Sequence, residues 1–186
     1  MLATDTVQLD SGRNPGWTRA EVEAEPARAI GASPTIWLPL GLTRGSRPYG
    51  TRGHVDLVAT FARPGTVLLH TQADPDHPDA AVSRAVFATL EGSTDASGRP
   101  LEIVALPAPA TRRDGEGWVD CGCVNHLLVN RAVIACSFAD ARDDAAAAIL
   151  REAYPGRTVV AVGARPLFAR GAGIHCIAQQ QPAVAA

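Results

Sequence analysis

The stretch Val55-Asp56-Leu57-Val58-Ala59-Thr60-Phe61-Ala62-Arg63-Pro64-Gly65-Thr66-Val67-Leu68-Leu69-His70-Thr71 reads as two apolar, β-branched runs folded on a Pro-Gly turn. Val55 to Phe61 and Thr66 to Thr71 are therefore expected to form a hairpin. Downstream, the interval from about Pro78 to Leu90 has helical spacing and stops near Gly92. A short apolar run over Leu101 to Leu106 then predicts a further strand, giving the order ββαβ. The plan recurs on the C-terminal side: Cys123 to Val129, an Asn130-Arg131 turn, Val133 to Phe138, a helix from about Asp140 to Tyr154, and Thr158 to Val162. On the N-terminal side, Leu2 to Leu9 reads as a strand, and a helix starts at Thr18 with Glu21 at the capping-box position. That helix runs through Ile30, is predicted to kink at Pro26, and leads to a strand over Thr35 to Leu38. Ile36, Ile103 and Val160 hold equivalent places, roughly sixty residues apart, a repeat-protein period.

One ββαβ unit cannot bury both faces of its sheet, so several must pack around a common axis. The fold class expected is α/β, a fan of blades and not one continuous sheet. The chain reads as a single domain with repeat units at about 1–42, 53–107 and 119–165, followed by a strand over 171–182 that carries Cys176. The segments Gly41 to Gly53 and Pro107 to Trp118 are the long surface loops, and long loops in a compact domain are often functional.

The 186 residues suffice for one core, and 17 basic against 19 acidic side chains leave no electrostatic footprint for nucleic acid or an anionic membrane. Every basic residue is Arg, which excludes Schiff-base and lysine general-base chemistry. Cys121, Cys123, Cys136 and Cys176 are too few and too clustered for a secreted disulfide frame, so reduced thiols and a cytoplasmic setting are expected. No window has the length and apolarity of a membrane span, and residues 1–5 carry no leader pattern.

Two motifs carry chemistry. Gly171-Ala172-Gly173-Ile174-His175-Cys176-Ile177-Ala178-Gln179-Gln180-Gln181-Pro182 presents a thiol behind glycines that permit positive φ and close approach of a ligand. Its bland alternative is a small core Cys. Tyr49-Gly50-Thr51-Arg52-Gly53-His54-Val55-Asp56 ends a glycine-rich loop and sets His54 and Asp56 two apart, on one face if the backbone is extended. By the same alternation His175 should point away from Cys176 and be structural. His70 and His77 read as surface or loop residues, and Trp37, Trp118 and Phe138 as packing. Cys121, Cys123, His126, His175 and Cys176 are ligand types for zinc, but their spacing is not a usual zinc pattern, and no metal is expected.

Together with Arg13-Asn14-Pro15-Gly16, Ile36-Trp37-Leu38-Pro39, Val124-Asn125-His126-Leu127-Leu128-Val129-Asn130 and Ala135-Cys136-Ser137-Phe138-Ala139-Asp140, the Gly-His-Val-Asp and Ile-His-Cys motifs resemble agmatine deiminases of the guanidino-group-modifying, or pentein, superfamily. The resemblance implies a five-bladed α/β propeller of which this chain holds about three ββαβ units, with further blades upstream in the family. It implies Cys176 as nucleophile, His54 as general acid/base and Asp56 as guanidinium-binding carboxylate, with Gly171 and Gly173 giving the substrate room. The reaction implied converts agmatine and water to N-carbamoylputrescine and ammonia through a Cys-linked thiouronium, with no cofactor and no metal. The family's second guanidinium-binding carboxylate and the acidic partner of its catalytic His have no counterpart in this sequence. A catalytically inactive homologue or guanidino-binding module is therefore the alternative, and an arginine or protein-arginine deiminase a further one. Blade edges left open would be covered by another chain, so a homo-oligomer is allowed.

Overall fold

A computed structural model describes residues 1–47, 50–110 and 112–181, so Tyr49 of the glycine-rich loop and Pro182 of the C-terminal motif lie outside the described residues. Among the described residues the architecture is α/β with small sheets, the two three-stranded ones mixed, and none of them closed. In the middle of the chain, β3 (Ala59–Arg63) and β4 (Thr66–Thr71) form the antiparallel hairpin, with Gly65 at φ +80° in its turn. Helix α3 (Asp79–Glu91) crosses back, and β5 (Glu102–Pro107) pairs parallel with β4, giving the order β3-β4-β5. The C-terminal sheet repeats this order: β8 (Leu127–Val129) antiparallel to β9 (Ala132–Ser137), helix α4 (Asp143–Ala153), then β10 (Thr158–Gly163) parallel to β9.

The N-terminal unit departs from the plan. β1 (Leu2–Thr4) and β2 (Ile36–Leu38) form a two-stranded parallel sheet joined through α1 (Asp5–Gln8) and α2 (Arg19–Ile30), so this unit lacks the antiparallel partner expected of a ββαβ repeat. The expected strand over Leu2 to Leu9 stops at Thr4 because Thr4 Oγ1 donates to Gly53 O at 2.8 Å and the chain then turns to bury Val7. Thr18 caps α2 with the reciprocal capping box, Gly31 closes it in the left-handed region, and α2 continues through Pro26. Ile36, Ile103 and Val160 each fall in the last, parallel-paired strand of their units, which is the third strand for Ile103 and Val160 and the second for Ile36.

Loop Pro107 to Trp118 carries a two-residue ribbon, β6 (Arg113–Asp114) with β7 (Gly117–Trp118), and α5 (Arg165–Phe168) follows β10. The core runs between the two three-stranded sheets, with Leu38, Leu68, Leu90, Leu106, Leu150 and Phe138 fully enclosed and Phe138 set edge-on to Phe168. Two expected surface histidines are inside it. His70 sits on the central strand β4 and is 1% exposed, and His77 is buried against the Trp118 ring. Among the described residues no helix is long and apolar enough to cross a membrane.

Candidate active site

Val55 to Leu57 is a 3-10 turn and not the start of the hairpin strand. Its entry is fixed from two sides: Thr4 holds Gly53 O, and a Cβ on Gly41 would stand 2.3 Å from Gly53 O, so the two glycine backbones cross at a distance no side chain allows. Gly53 itself is at φ +89°. The turn aims Asp56 inward, where strand alternation would have paired it with His54 on one face.

His175 to Ile177 is likewise a 3-10 turn, where an extended strand was expected over 171–182. Consequently His175 does not point away from Cys176. Its Nδ1 lies 2.8 Å from Asp56 Oδ2, while Cys176 Sγ donates to the same oxygen at 3.4 Å. Gly171, at φ +79° with nothing near its Cβ position, supplies the turn that leads in. Gly173 has no room to offer a substrate: its Cβ would fall 2.1 Å from Asn125 Oδ1.

Asn125 occupies that space and is wholly buried. Its Nδ2 donates to Asp56 Oδ2 at 3.0 Å and to Cys176 Sγ at 3.3 Å, and its Oδ1 accepts from the His175 N–H at 2.9 Å. The expected strand from Cys123 forms only from Leu127, because the Cys123–His126 segment bends to deliver this side chain. In the sequence Asn125 stands out only as an amide inside an apolar run and as a member of the Val124 to Asn130 motif, with no role of its own.

Electrostatics follow from this packing. Burial pushes the Cys176 thiol up, the Gly173 N–H and the Asn125 amide pull it down, and the Asp56 carboxylate raises it again. Burial also depresses His54; Asp56 opposes that and Arg13 adds to it. Arg13 Nη2 lies 3.1 Å from His54 Nε2. A guanidinium can only donate, so Nε2 accepts and the ring carries its proton on Nδ1. Asp56 Oδ1 is enclosed and has no hydrogen-bond partner among the described residues.

Two cavities flank these groups. One of about 300 Å³ is lined by Asp56 and His175 together with Leu2, Val55, Phe61 and Val124. The other, about 420 Å³, adjoins the His54 loop through Thr51 and the C-terminal turn through Gly171, with Arg44, Asp120 and Phe168 on its walls. The zinc ligand types do not gather: His126 sits between Cys123 O at 3.2 Å and the Tyr154 hydroxyl at 2.8 Å, and no metal-holding group of three or more His, Cys, Asp or Glu occurs among the described residues.

A family model for Porphyromonas-type peptidyl-arginine deiminase matches residues 1–182. The chain belongs to that family. Among these deiminase relatives, a Streptomyces coelicolor protein provisionally named agmatine deiminase is 55% identical over 183 residues, 98% of this chain and 54% of its own length. Agmatine deiminase of Pseudomonas fluorescens is 38% identical, with 98% of this chain and 54% of its own length covered. The solved agmatine deiminase of Enterococcus faecalis superposes with a TM-score of 0.88 at 27% identity over 97% of this chain and 53% of that one. The chain thus spans about half the length of the deiminases it matches.

Proposed function

We propose that this chain is the Cys-bearing portion of an agmatine deiminase-type hydrolase, in which the two three-stranded units are blades of a five-unit pentein propeller. The observation that carries the reading is the meeting of Cys176 Sγ with Asp56 Oδ2 at 3.4 Å, a nucleophile and a carboxylate brought from distant parts of the chain. Matches to proteins named agmatine deiminase support the substrate class.

A guanidinium carbon is a poor electrophile, so attack requires a thiolate. In the free protein Asp56 opposes that ionisation. A bound guanidinium neutralises Asp56 and supplies the N–H donor that Oδ1 lacks, so the substrate promotes formation of its own nucleophile. The thiol proton passes to His54 as that ring is released from Arg13, Sγ adds to the guanidinium carbon, and the C–N bond breaks as His54 gives the same proton to the departing ammonia. The S-linked thiouronium then takes up water deprotonated by His54, the C–S bond breaks, and the ureido product leaves as the thiol is restored. For agmatine the product is N-carbamoylputrescine.

The second reading, a guanidino-binding module, is favoured by the contact that His54 makes: its ring meets a cation, Arg13, where a general acid needs an acidic neighbour. Incubating the purified chain with agmatine and assaying ammonia and the ureido product separates the two. Turnover that disappears in Cys176→Ala is expected. A folded wild-type chain that binds agmatine calorimetrically without releasing ammonia would leave only the binding module. Arginine run in parallel tests the substrate class, since it alone bears an α-carboxylate.

A further inference from the structure

We propose that Asn125 is a positioning residue for the Cys176 reaction, one side-chain amide that sets the Asp56 carboxylate and the sulfur relative to each other and shifts its hydrogen bonds when the thiol ionises. The inference rests on Cys176 being the nucleophile. Asn125 is reached from every side. Its Oδ1 and its backbone O both accept from the His175 N–H, at 2.9 and 3.4 Å, and the backbone O also accepts from Cys136 Sγ at 3.1 Å. The Oδ1 contact fixes which end of the amide faces the sulfur, since the reversed amide would set N–H against N–H.

Nδ2 carries two hydrogens and faces three acceptors: Asp56 Oδ2 at 3.0 Å, Asp56 O at 3.3 Å and Cys176 Sγ at 3.3 Å. While Cys176 is a thiol, its own hydrogen is directed to Asp56 Oδ2, and the two amide hydrogens are shared among the three acceptors, with Asp56 Oδ2 the nearest. A thiolate has no hydrogen and can only accept. One amide hydrogen then turns to Sγ, interposing a donor between sulfur and carboxylate. The backbone leaves no substitute space, because the absent Cβ of Gly173 is what admits the amide.

The test reads the thiol and not turnover. Iodoacetamide alkylation of Cys176, resolved by peptide mass spectrometry, is followed against pH in wild type, Asn125→Leu and Asn125→Asp; the other three thiols are buried and serve as internal controls. Loss of a hydrogen bond to a charged group is expected to slow alkylation near pH 7.5 about tenfold in Asn125→Leu and to move its midpoint upward. Asn125→Asp, which keeps the acceptor for His175 N–H but adds charge, slows it at least as much. Profiles that superpose on wild type in folded variants overturn the proposal. Should the variants not fold, NMR of the native chain decides: the Asn125 side-chain amide signals are expected to titrate with Cys176 and to stay flat in Cys176→Ser, and a flat wild-type response overturns it. Coupling without ammonia release would count against the deiminase reading alone, whereas an active chain without coupling would remove only the role of Asn125.

Discussion

Gly171 and Gly173 stand two residues apart and differ in what they do. At Gly171 the requirement is backbone conformation, so Gly171→Ala should cost about 1–2 kcal/mol of left-handed strain and leave Cys176 reactivity near wild type. At Gly173 the requirement is space. Gly173→Ala drives a methyl into the Asn125 amide, so it should destabilise by about 1–3 kcal/mol and also slow Cys176 alkylation, as measured by urea unfolding alongside thiol modification. Unchanged reactivity in the Gly173→Ala variant would show that the amide can move aside harmlessly. The two motifs singled out Cys176, His54 and Asp56, and the fold brings the Cys176 sulfur within 3.4 Å of the Asp56 carboxylate. The orientation of His175 was not legible, because alternation assumes extended backbone, and a 3-10 turn on each side brought His175 and Asp56 face to face.

Within elements, what is local could be read and what is anchored from afar could not. The capping box of α2 uses Thr18 and Glu21, three positions apart, and forms as spacing predicts. The start of β3 moved from Val55 to Ala59 because Asn125, 69 positions away, holds Asp56. The entry to α4 is organised by one carboxylate: Asp143 accepts from Ser137 Oγ at 2.8 Å, from Phe138 N–H at 3.0 Å and from Asp140 N–H at 3.1 Å, around an Ala139 held at φ +49°. Asp143→Ala should therefore cost about 2–3 kcal/mol, read as a lower denaturant midpoint. A loss below about 0.5 kcal/mol would mean that water replaces those bonds freely. Thr18→Ala, at an exposed cap, should cost only about 1 kcal/mol.

Across the whole molecule, the buried titratable groups set the response to acid. Burial depresses His70 and His126 to about 4, while burial and the neighbouring Asp79 raise Asp120 to about 6. Both histidines are kept neutral by the fold, so the stability they contribute is present above about pH 6.5 and is lost as pH falls toward 4. Asp120 acts in the other direction: its contribution is full below about pH 4 and is lost as pH rises through about 6. Two groups against one leave a net loss of a few kcal/mol on acidification from pH 7 to 5. The melting temperature should fall over that interval, and His70→Leu should flatten the slope; a melting temperature that rises on acidification would refute the assignment. His70 was misread as a surface residue because its place on the central strand β4, covered on both faces, is a property of the assembled sheets and not of its neighbours in sequence.

The contact between Asp56 and Cys176 spans 120 positions of a 186-residue chain. Closing so long a loop is entropically costly and is rewarded only when the intervening sheets are already in place. Thiol chemistry at Cys176 therefore doubles as a clock for folding. During refolding, far-UV signals from the helices should recover before the alkylation behaviour characteristic of the finished site.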